Sequence, residues 1–266
     1  MDSSKTIFLF DLDGTLTEAR KPASTSLGPI LRDLSKIAKI FVVTGSDYEF
    51  IEEQLSGVWH YLPCSDVVLM PCNGTKRYEW HKAGFRSSFR IVKELSMKDH
   101  LGFDSYRTLV SYIIKRQSKF LQKFEESKMC TGRFVSYRGS MINWSPMGRD
   151  GDNNSRESFV KHDRKTEYRT KEIKRMRRFI EKNQIPVKVS YGGDTSFDIF
   201  PLGWDKTLAL EGIEDNNLVF MGDRCEPGGN DFEIFKKVKA LGGEAYHVKN
   251  PEETMEILKQ YIKENK

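Results

Sequence analysis

Phe10-Asp11-Leu12-Asp13-Gly14-Thr15-Leu16-Thr17 (FDLDGTLT) closes the apolar run that begins at Ile7. Four consecutive apolar residues, Ile7 to Phe10, are what a strand buried on both faces requires. The run stops at two aspartates one residue apart, and Gly14-Thr15 then turns the chain. Open α/β sheets present ligands at the carboxyl ends of their parallel strands, so these acids stand where chemistry is expected. Backbone amides exposed in such a turn can hold phosphate oxygens. Two neighbouring carboxylates repel unless a cation joins them, and hard oxygen ligands beside phosphate suit magnesium. One carboxylate can then attack phosphorus, and the other can pass protons to and from the reacting oxygen. D-x-D-G-T alone also fits a plain turn; the apolar run before it and Leu16-Thr17 after it make it specific.

Working outward, further short apolar runs read as buried parallel strands: Ile40–Val43, Val67–Met70, Leu218–Met221 and Ala245–Val248. Helical spacing separates them. Leu27, Ile30, Leu31 and Leu34 form one stripe, and Phe50, Ile51 and Leu55 another. Phe232, Ile234, Phe235 and Val238 follow the fourth strand, and Met255, Ile257, Leu258 and Ile262 close the chain. Strands alternating with helices predict an α/β fold, a Rossmann-like doubly wound core around a parallel sheet.

The middle of the chain departs from this rhythm. Short alternating stretches, Arg133–Tyr137 and Met141–Trp144, predict an antiparallel sheet with one wet face. Ser155 to Asn183 reads as one long charged helix with Phe159, Met176, Phe179 and Ile180 as its apolar stripe. GRDGDNNS, residues 148–155, is the clearest flexible stretch. The expected organisation is a discontinuous core, residues 1–84 and 204–266, with an inserted α+β cap domain over 85–203.

The chain has 266 residues, with 43 basic against 38 acidic groups and a net charge of +5. That excess is too mild to demand nucleic acid; a few arginines on phosphate account for it. Cys64, Cys72, Cys130 and Cys225 form no C-x-x-C pair, so they read as reduced thiols of a cytoplasmic protein. The apolar run at residues 7–10 is too short for a signal-peptide core or a membrane span.

FDLDGTLT resembles the haloacid dehalogenase superfamily, in which the first aspartate is the nucleophile and the second the acid/base. The resemblance assigns these roles to Asp11 and Asp13. It makes Ser46, in Thr44-Gly45-Ser46-Asp47, the hydroxyl that binds the transferring phosphoryl group, although a Ser before an Asp is also an ordinary helix cap. It makes Lys206 the neutralising cation. Asp223 ends a buried run, and Asp231 follows in Gly228-Gly229-Asn230-Asp231. Together with Asp11 and Asp13 they would complete a magnesium site.

The strings Tyr137–Arg149 (YRGSMINWSPMGR) and Ser190–Pro201 (SYGGDTSFDIFP) resemble the eukaryotic-type phosphomannomutases, a branch of that superfamily. So do Phe200–Lys206 and Pro227–Asp231. The likeness spans essentially the whole chain and is weakest over 76–122. It implies that Arg138, Arg149 and Arg156 clamp a second phosphate, as arginine forks do well, with Arg20 contributing from the core. Ser196 and Asp198 match the pair that touches sugar and phosphate. It further implies a hexose 1,6-bisphosphate activator, interconversion of mannose 6-phosphate and mannose 1-phosphate feeding GDP-mannose synthesis, and a homodimer through the cap. Departures from the family pattern are Cys72 before Asn73-Gly74, Thr44, and Asp194-Thr195 beside the sugar contact.

Two other readings compete. A sugar-phosphate phosphatase of the same fold shares every core motif, but on a monophosphate it needs no second clamp. A binding module using the basic helix Arg164–Arg178 leaves the acid set without purpose, and interleaved Glu167 and Glu172 make that helix a solvated face.

Overall fold

The computed structural model describes residues 6–83, 86–124 and 130–265. In chain order the first elements are β1 (Thr6–Phe10), α1 (Leu27–Ser35), β2 (Ala38–Val43), α2 (Tyr48–Leu55), β3 (Val67–Met70), β4 (Lys76–Ala83) and β5 (Arg86–Glu94). Then come α3 (Met97–Leu101), α4 (Phe103–Lys123), β6 (Val135–Tyr137), β7 (Ile142–Trp144), α5 (Asn153–Thr166), α6 (Tyr168–Lys182), β8 (Val187–Gly192) and β9 (Ser196–Pro201). The last are β10 (Leu218–Gly222), α7 (Phe232–Ala240), β11 (Glu244–His247) and α8 (Pro251–Glu264). The chain divides into two units, Met1–Glu94 with Gly203–Lys266, and Leu95–Leu202.

The first unit is built on a seven-stranded sheet of order β11-β10-β1-β2-β3-β4-β5. Its first five strands are parallel, and β4 and β5 are antiparallel. Alternation along β1 explains why the run is apolar throughout. Phe8 and Phe10 enter a cluster with Leu27, Leu31 and Leu258, while Ile7 and Leu9 enter a second cluster with Phe41, Ile234 and Val238. Each such side chain contributes roughly 1.5–3 kcal/mol on full burial. The register sets Phe10 beside both Val42 and Met221. Asp11, the Thr44 turn and the Gly222-Asp223 end of β10 therefore leave the sheet side by side.

The expected boundary at 84/85 moves. Strand β5 pairs with β4 from Lys76↔Glu94 to Ala83↔Arg86, so the hairpin extends the large sheet and the first crossing falls at 94/95. The return falls at 202/203. Phe89 of this hairpin packs its ring against Trp59 at 5.5 Å and Trp80 at 5.1 Å. An alternating strand with one wet face looks the same in sequence whichever sheet it joins, which is why the hairpin read as part of the insert.

The second unit carries a four-stranded antiparallel sheet of order β6-β7-β9-β8 and helices α3 to α6. One face of the sheet is apolar. Trp144 stacks on Phe197 at 4.7 Å and donates its indole N–H to Gln117 of α4 at 2.7 Å. Gln117 is buried and in turn donates to the Pro146 carbonyl at 3.0 Å. The opposite face carries Ser136, Asn143, Asp198 and Ser190 in a row, each opposite the next across the strands.

The single helix expected over 155–183 is two. Glu167, at φ 52°, separates α5 from α6. The apolar periodicity runs on across the break, so the break has no signature in that pattern. Residues 148–155 are also more ordered than their composition predicts. The Asp150 carboxylate accepts from the Arg133 amide at 2.9 Å, and Arg149 N–H donates to the Arg133 carbonyl at 3.0 Å. Asp152 caps α5 by accepting from Ser155 N–H at 2.8 Å. The four cysteines are free thiols. Among the described residues no helix is long and apolar enough to cross a membrane.

Candidate active site

At the carboxyl end of β1, Asp11 is almost fully buried and sits beside two further carboxylates. Oxygens of Asp11, Asp223 and Asp231 lie within 4.8 Å of one another. Lys206, 1% exposed, bonds Asp11 Oδ1 and Asp231 Oδ1, both at 2.5 Å. Asp231 also accepts from Arg224 N–H at 3.1 Å. The approach of Asp223 depends on Gly14. That residue has φ +88°, and a Cβ there would stand 2.4 Å from Asp223 Oδ2. Gly14→Ala is therefore expected to displace Asp223 and lower turnover by about tenfold or more, since small misplacements at a reacting centre cost that much. Wild-type turnover and an unchanged magnesium requirement in this variant would refute the dependence.

Burial pushes the Asp11 carboxyl up to about 8, aided by the Asp231 charge and opposed by Lys206. Asp223 is raised as well, first by burial and then by Asp231. Burial pulls the Lys206 ammonium down, but the charges of Asp11 and Asp231 outweigh it and hold it above its ordinary value. When all three carboxylates are ionised, the Lys206 ammonium leaves an excess of negative charge in this space. A divalent cation matches that excess, and an all-oxygen donor set suits magnesium.

Asp13 does not join this group. Its carboxylate Oδ1 turns to accept the Arg20 amide at 2.8 Å. The Gly14 N–H to Thr17 carbonyl bond, 2.7 Å, closes the turn that directs it there. The expected metal set of Asp11, Asp13, Asp223 and Asp231 thus appears here as three clustered carboxylates without that of Asp13. Arg20 holds Asp13 through its backbone, at φ 62°, and its side chain is exposed.

Ser46 N–H donates to Thr44 Oγ1 at 3.1 Å, and its carbonyl accepts from Cys72 N–H at 2.8 Å. The cap position of α2 is Asp47, so Ser46 is not occupied as a helix cap. The Cys72-Asn73-Gly74 turn that packs here has Cys72 at φ 52° and Asn73 at φ 62°. Thr15, fully buried at the first turn, has a hydroxyl with no hydrogen-bond partner among the described residues.

In the second unit the polar row of the sheet gathers several expected residues on one that sequence reasoning missed. Asn143 Nδ2 donates to Ser196 Oγ at 3.0 Å and to Asp198 Oδ1 at 2.7 Å. Its Oδ1 accepts from Arg149 Nη1 at 2.9 Å. Burial raises the Asp198 carboxyl, while the Arg138 charge, the Asn143 bond and the Arg149 charge pull it back. Asn143 thus sets the positions of Arg149, Ser196 and Asp198 together. Its signal in the sequence was a lone amide between Ile142 and Trp144 in an otherwise apolar strand. Arg156 stands on α5, where it lines a groove with Asp194 and Thr195.

Asn143→Ala is expected to raise KM for a hexose phosphate by about tenfold with a smaller change in kcat. Losing hydrogen bonds to charged partners costs about 1.5–3 kcal/mol, and this bond orients a ground-state contact. An unchanged KM would show that the knot is only structural.

Residues 27–264 match the family model described as eukaryotic phosphomannomutase. A phosphomannomutase of Arabidopsis thaliana is 34% identical over 251 residues, covering 94% of this chain and 93% of that protein. One of Encephalitozoon cuniculi is 34% identical over 265 residues, covering 97% and 94%. Among solved structures, the ATP-bound IMP-nucleotidase of Plasmodium falciparum superposes with a TM-score of 0.64 at 19% identity, covering 98% of this chain and 61% of that one. The last likeness concerns the fold alone.

Proposed function

We propose that this chain, which belongs to the eukaryotic phosphomannomutase family, interconverts mannose 6-phosphate and mannose 1-phosphate. One observation beside the family carries the reading. The chain holds two separate sets of cationic groups suited to phosphate: Lys206 at Asp11 in the first unit, and Arg138 with Arg149 beside Asp198 in the second. A bisphosphate needs both.

Asp11 takes a phosphoryl group from a hexose 1,6-bisphosphate activator. A hexose monophosphate then binds by its existing phosphate to Arg138 and Arg149, with Ser196 and Asp198 at the sugar. Asp13 accepts the proton of the free hydroxyl as that oxygen attacks the aspartyl-phosphate. Lys206 and Ser46 hold the charge of the transferring group, and the bisphosphate formed turns to return its other phosphate to Asp11. Asp11, Asp223 and Asp231 would hold a magnesium ion, which would supply charge neutralisation for the phosphoryl oxygens. A dimer through the second unit belongs to the same proposal. Phe103 and Ile114 of α4, 71% and 53% exposed, support it, and light scattering at micromolar concentration tests it.

The deciding assay offers mannose 6-phosphate, magnesium and a trace of glucose 1,6-bisphosphate. Mannose 1-phosphate should accumulate. Free phosphate alone would replace the mutase by a phosphatase, and no turnover would leave neither.

Metal binding has its own readout. Asp11, moved from 3.8 to about 8, and Asp223 are raised on folding. Between those values the folded chain holds more protons than the unfolded one, so metal-free stability falls as pH rises through that window. Magnesium binds the ionised carboxylates and opposes the fall. The increase in Tm on adding magnesium should be larger at pH 8 than at pH 5. Equal increases would overturn the three-carboxylate site.

A further inference from the structure

The helix break at Glu167 places one side chain that the reaction described above does not use. Arg169, in the first turn of α6, folds back onto α5. Its Nε donates to Asp163 Oδ2 at 2.7 Å, and its backbone N–H donates to Asp163 Oδ1 at 2.7 Å. In an unbroken helix, residues six apart stand about 9 Å apart along the axis and roughly 120° round it, so they do not meet. The left-handed residue Glu167, at φ 52°, brings these two together. Their side chains are only 14% and 15% exposed. A pair so covered is not one of the solvated surface pairs that contribute little.

The rest of the guanidinium faces the turn between β8 and β9. Nη1 donates to the Gly193 carbonyl at 2.7 Å, and the group lies over the Tyr191 ring, 5.0 Å from its centre. The Tyr191 hydroxyl meets that of Thr170, the next residue of α6, at 2.8 Å. The same turn carries the candidate sugar contacts. The neighbouring carbonyl, that of Gly192, accepts the Ser196 hydroxyl, and in the strand register Gly192 faces Ser196 and Ser190 faces Asp198. The packing is close: a Cβ on Gly192 would stand 2.6 Å from Ser196 Oγ and 2.9 Å from Asp198 Oδ1. In contacts this tight, a shift of the turn is passed on to both side chains. Asn143 holds the same pair from the other side.

We propose that Arg169 is a positioning residue for Ser196 and Asp198, acting through the Gly192–Gly193 turn with Asp163 as its anchor. The proposal rests on the reading of Ser196 and Asp198 as sugar contacts. A guanidinium suits the task because its planar fork reaches the carboxylate and the carbonyl from different nitrogens in fixed geometry, which the single nitrogen of lysine does not. Without it the pair is held from the Asn143 side alone, and a hexose phosphate must order the turn as it binds. That cost falls on substrate affinity rather than on the chemical step.

Calorimetric titration of mannose 6-phosphate into the full chain tests this, with kcat and Tm measured beside it. The proteins compared are the wild type, Arg169→Met, Arg169→Lys, Ser196→Ala and Arg169→Met/Ser196→Ala. Unfolded protein lowers the stoichiometry of such a titration but not the affinity, so a merely structural loss leaves Kd in place. Arg169→Met should weaken binding about fivefold or more, with a change in kcat of about twofold or less. Arg169→Lys keeps a charge for Asp163 and should recover most of the Tm but not the affinity. In the double variant the loss should fall well short of the product of the two single losses, because both act on one contact. An Arg169→Met protein with lowered Tm and unchanged Kd, or a lysine variant with wild-type Kd, would reduce Arg169 to a structural ion pair and overturn the proposal. Losses that multiply in full overturn it as well. Ser196→Ala separates this failure from that of the underlying reading. An unchanged affinity there, or a wild type that binds no mannose 6-phosphate, removes Ser196 from the sugar and the positioning role with it. Weakened binding in Ser196→Ala beside unchanged binding in Arg169→Met refutes the positioning role alone.

Discussion

Asp11→Asn should lower turnover by about 10⁴-fold or more, the scale of loss when a nucleophile is removed. The amide keeps the shape of the side chain and its place among buried neighbours, so binding survives while the attacking oxygen is gone. Removing one of three mutually repelling acids also relieves the desolvation that holds the Asp11 carboxyl near 8. The metal-free variant should consequently be no less stable than the wild type and should depend less on pH. Two measurements check this. Incubation with radiolabelled glucose 1,6-bisphosphate should transfer no label to the variant, and its Tm at pH 8 without magnesium should equal or exceed that of the wild type. Label on the variant protein would move the nucleophile elsewhere, with Asp13 as the first alternative.

Lys206→Met carries the second large effect. The side chain is 1% exposed and bonds two carboxylates of the site, one of them fully buried. Methionine is of similar size but removes the buried ammonium that bonds both Asp11 and Asp231. Breaking a buried pair by removing one partner costs about 3–5 kcal/mol, because the other charge is left uncompensated. Here two carboxylates are left, and protonation of Asp11 limits the loss at low pH. The destabilisation should therefore be greatest near pH 8 and smallest near pH 5. Magnesium should recover part of the stability but little of the activity, because the transferring phosphoryl group still lacks its ammonium. Chemical denaturation at the two pH values, with and without magnesium, reads all of this. A variant as stable as the wild type at pH 8 would show that Lys206 does not offset the acids.

Much of this was legible before any coordinate. Four of the parallel strands, β1 through β3 and β10, lie where unbroken apolar runs stand; β11, expected to be buried as well, is an edge strand with Glu244 and His247 exposed. Two-sided burial is a local demand on composition, so it can be read locally. The Glu167 break and the β4–β5 hairpin could not be read that way. A helix with a continuous apolar stripe can bend at one residue in left-handed conformation without altering the stripe. A strand with one wet face shows nothing of which neighbour it pairs with. Asn143 was overlooked for a related reason. A single amide in a short strand looks like a defect in the pattern until Ser196 and Asp198, more than fifty residues later, come up beside it.

The sequence by itself determined that Asp11 stands at the end of a buried strand; for the arginines far along the chain, a phosphate role came only from the family resemblance of the strings that hold them. The first follows from an apolar run and a turn, local to a few positions. Only the tertiary structure decided which acids share the site. It brought Asp223 and Asp231 to Asp11, set Lys206 between two of them, and turned Asp13 aside to the Arg20 amide. The reason is physical. Strand register and the Gly14 turn bring these groups together across some two hundred residues, and the burial that raises the Asp11 carboxyl exists only once the chain has folded around it.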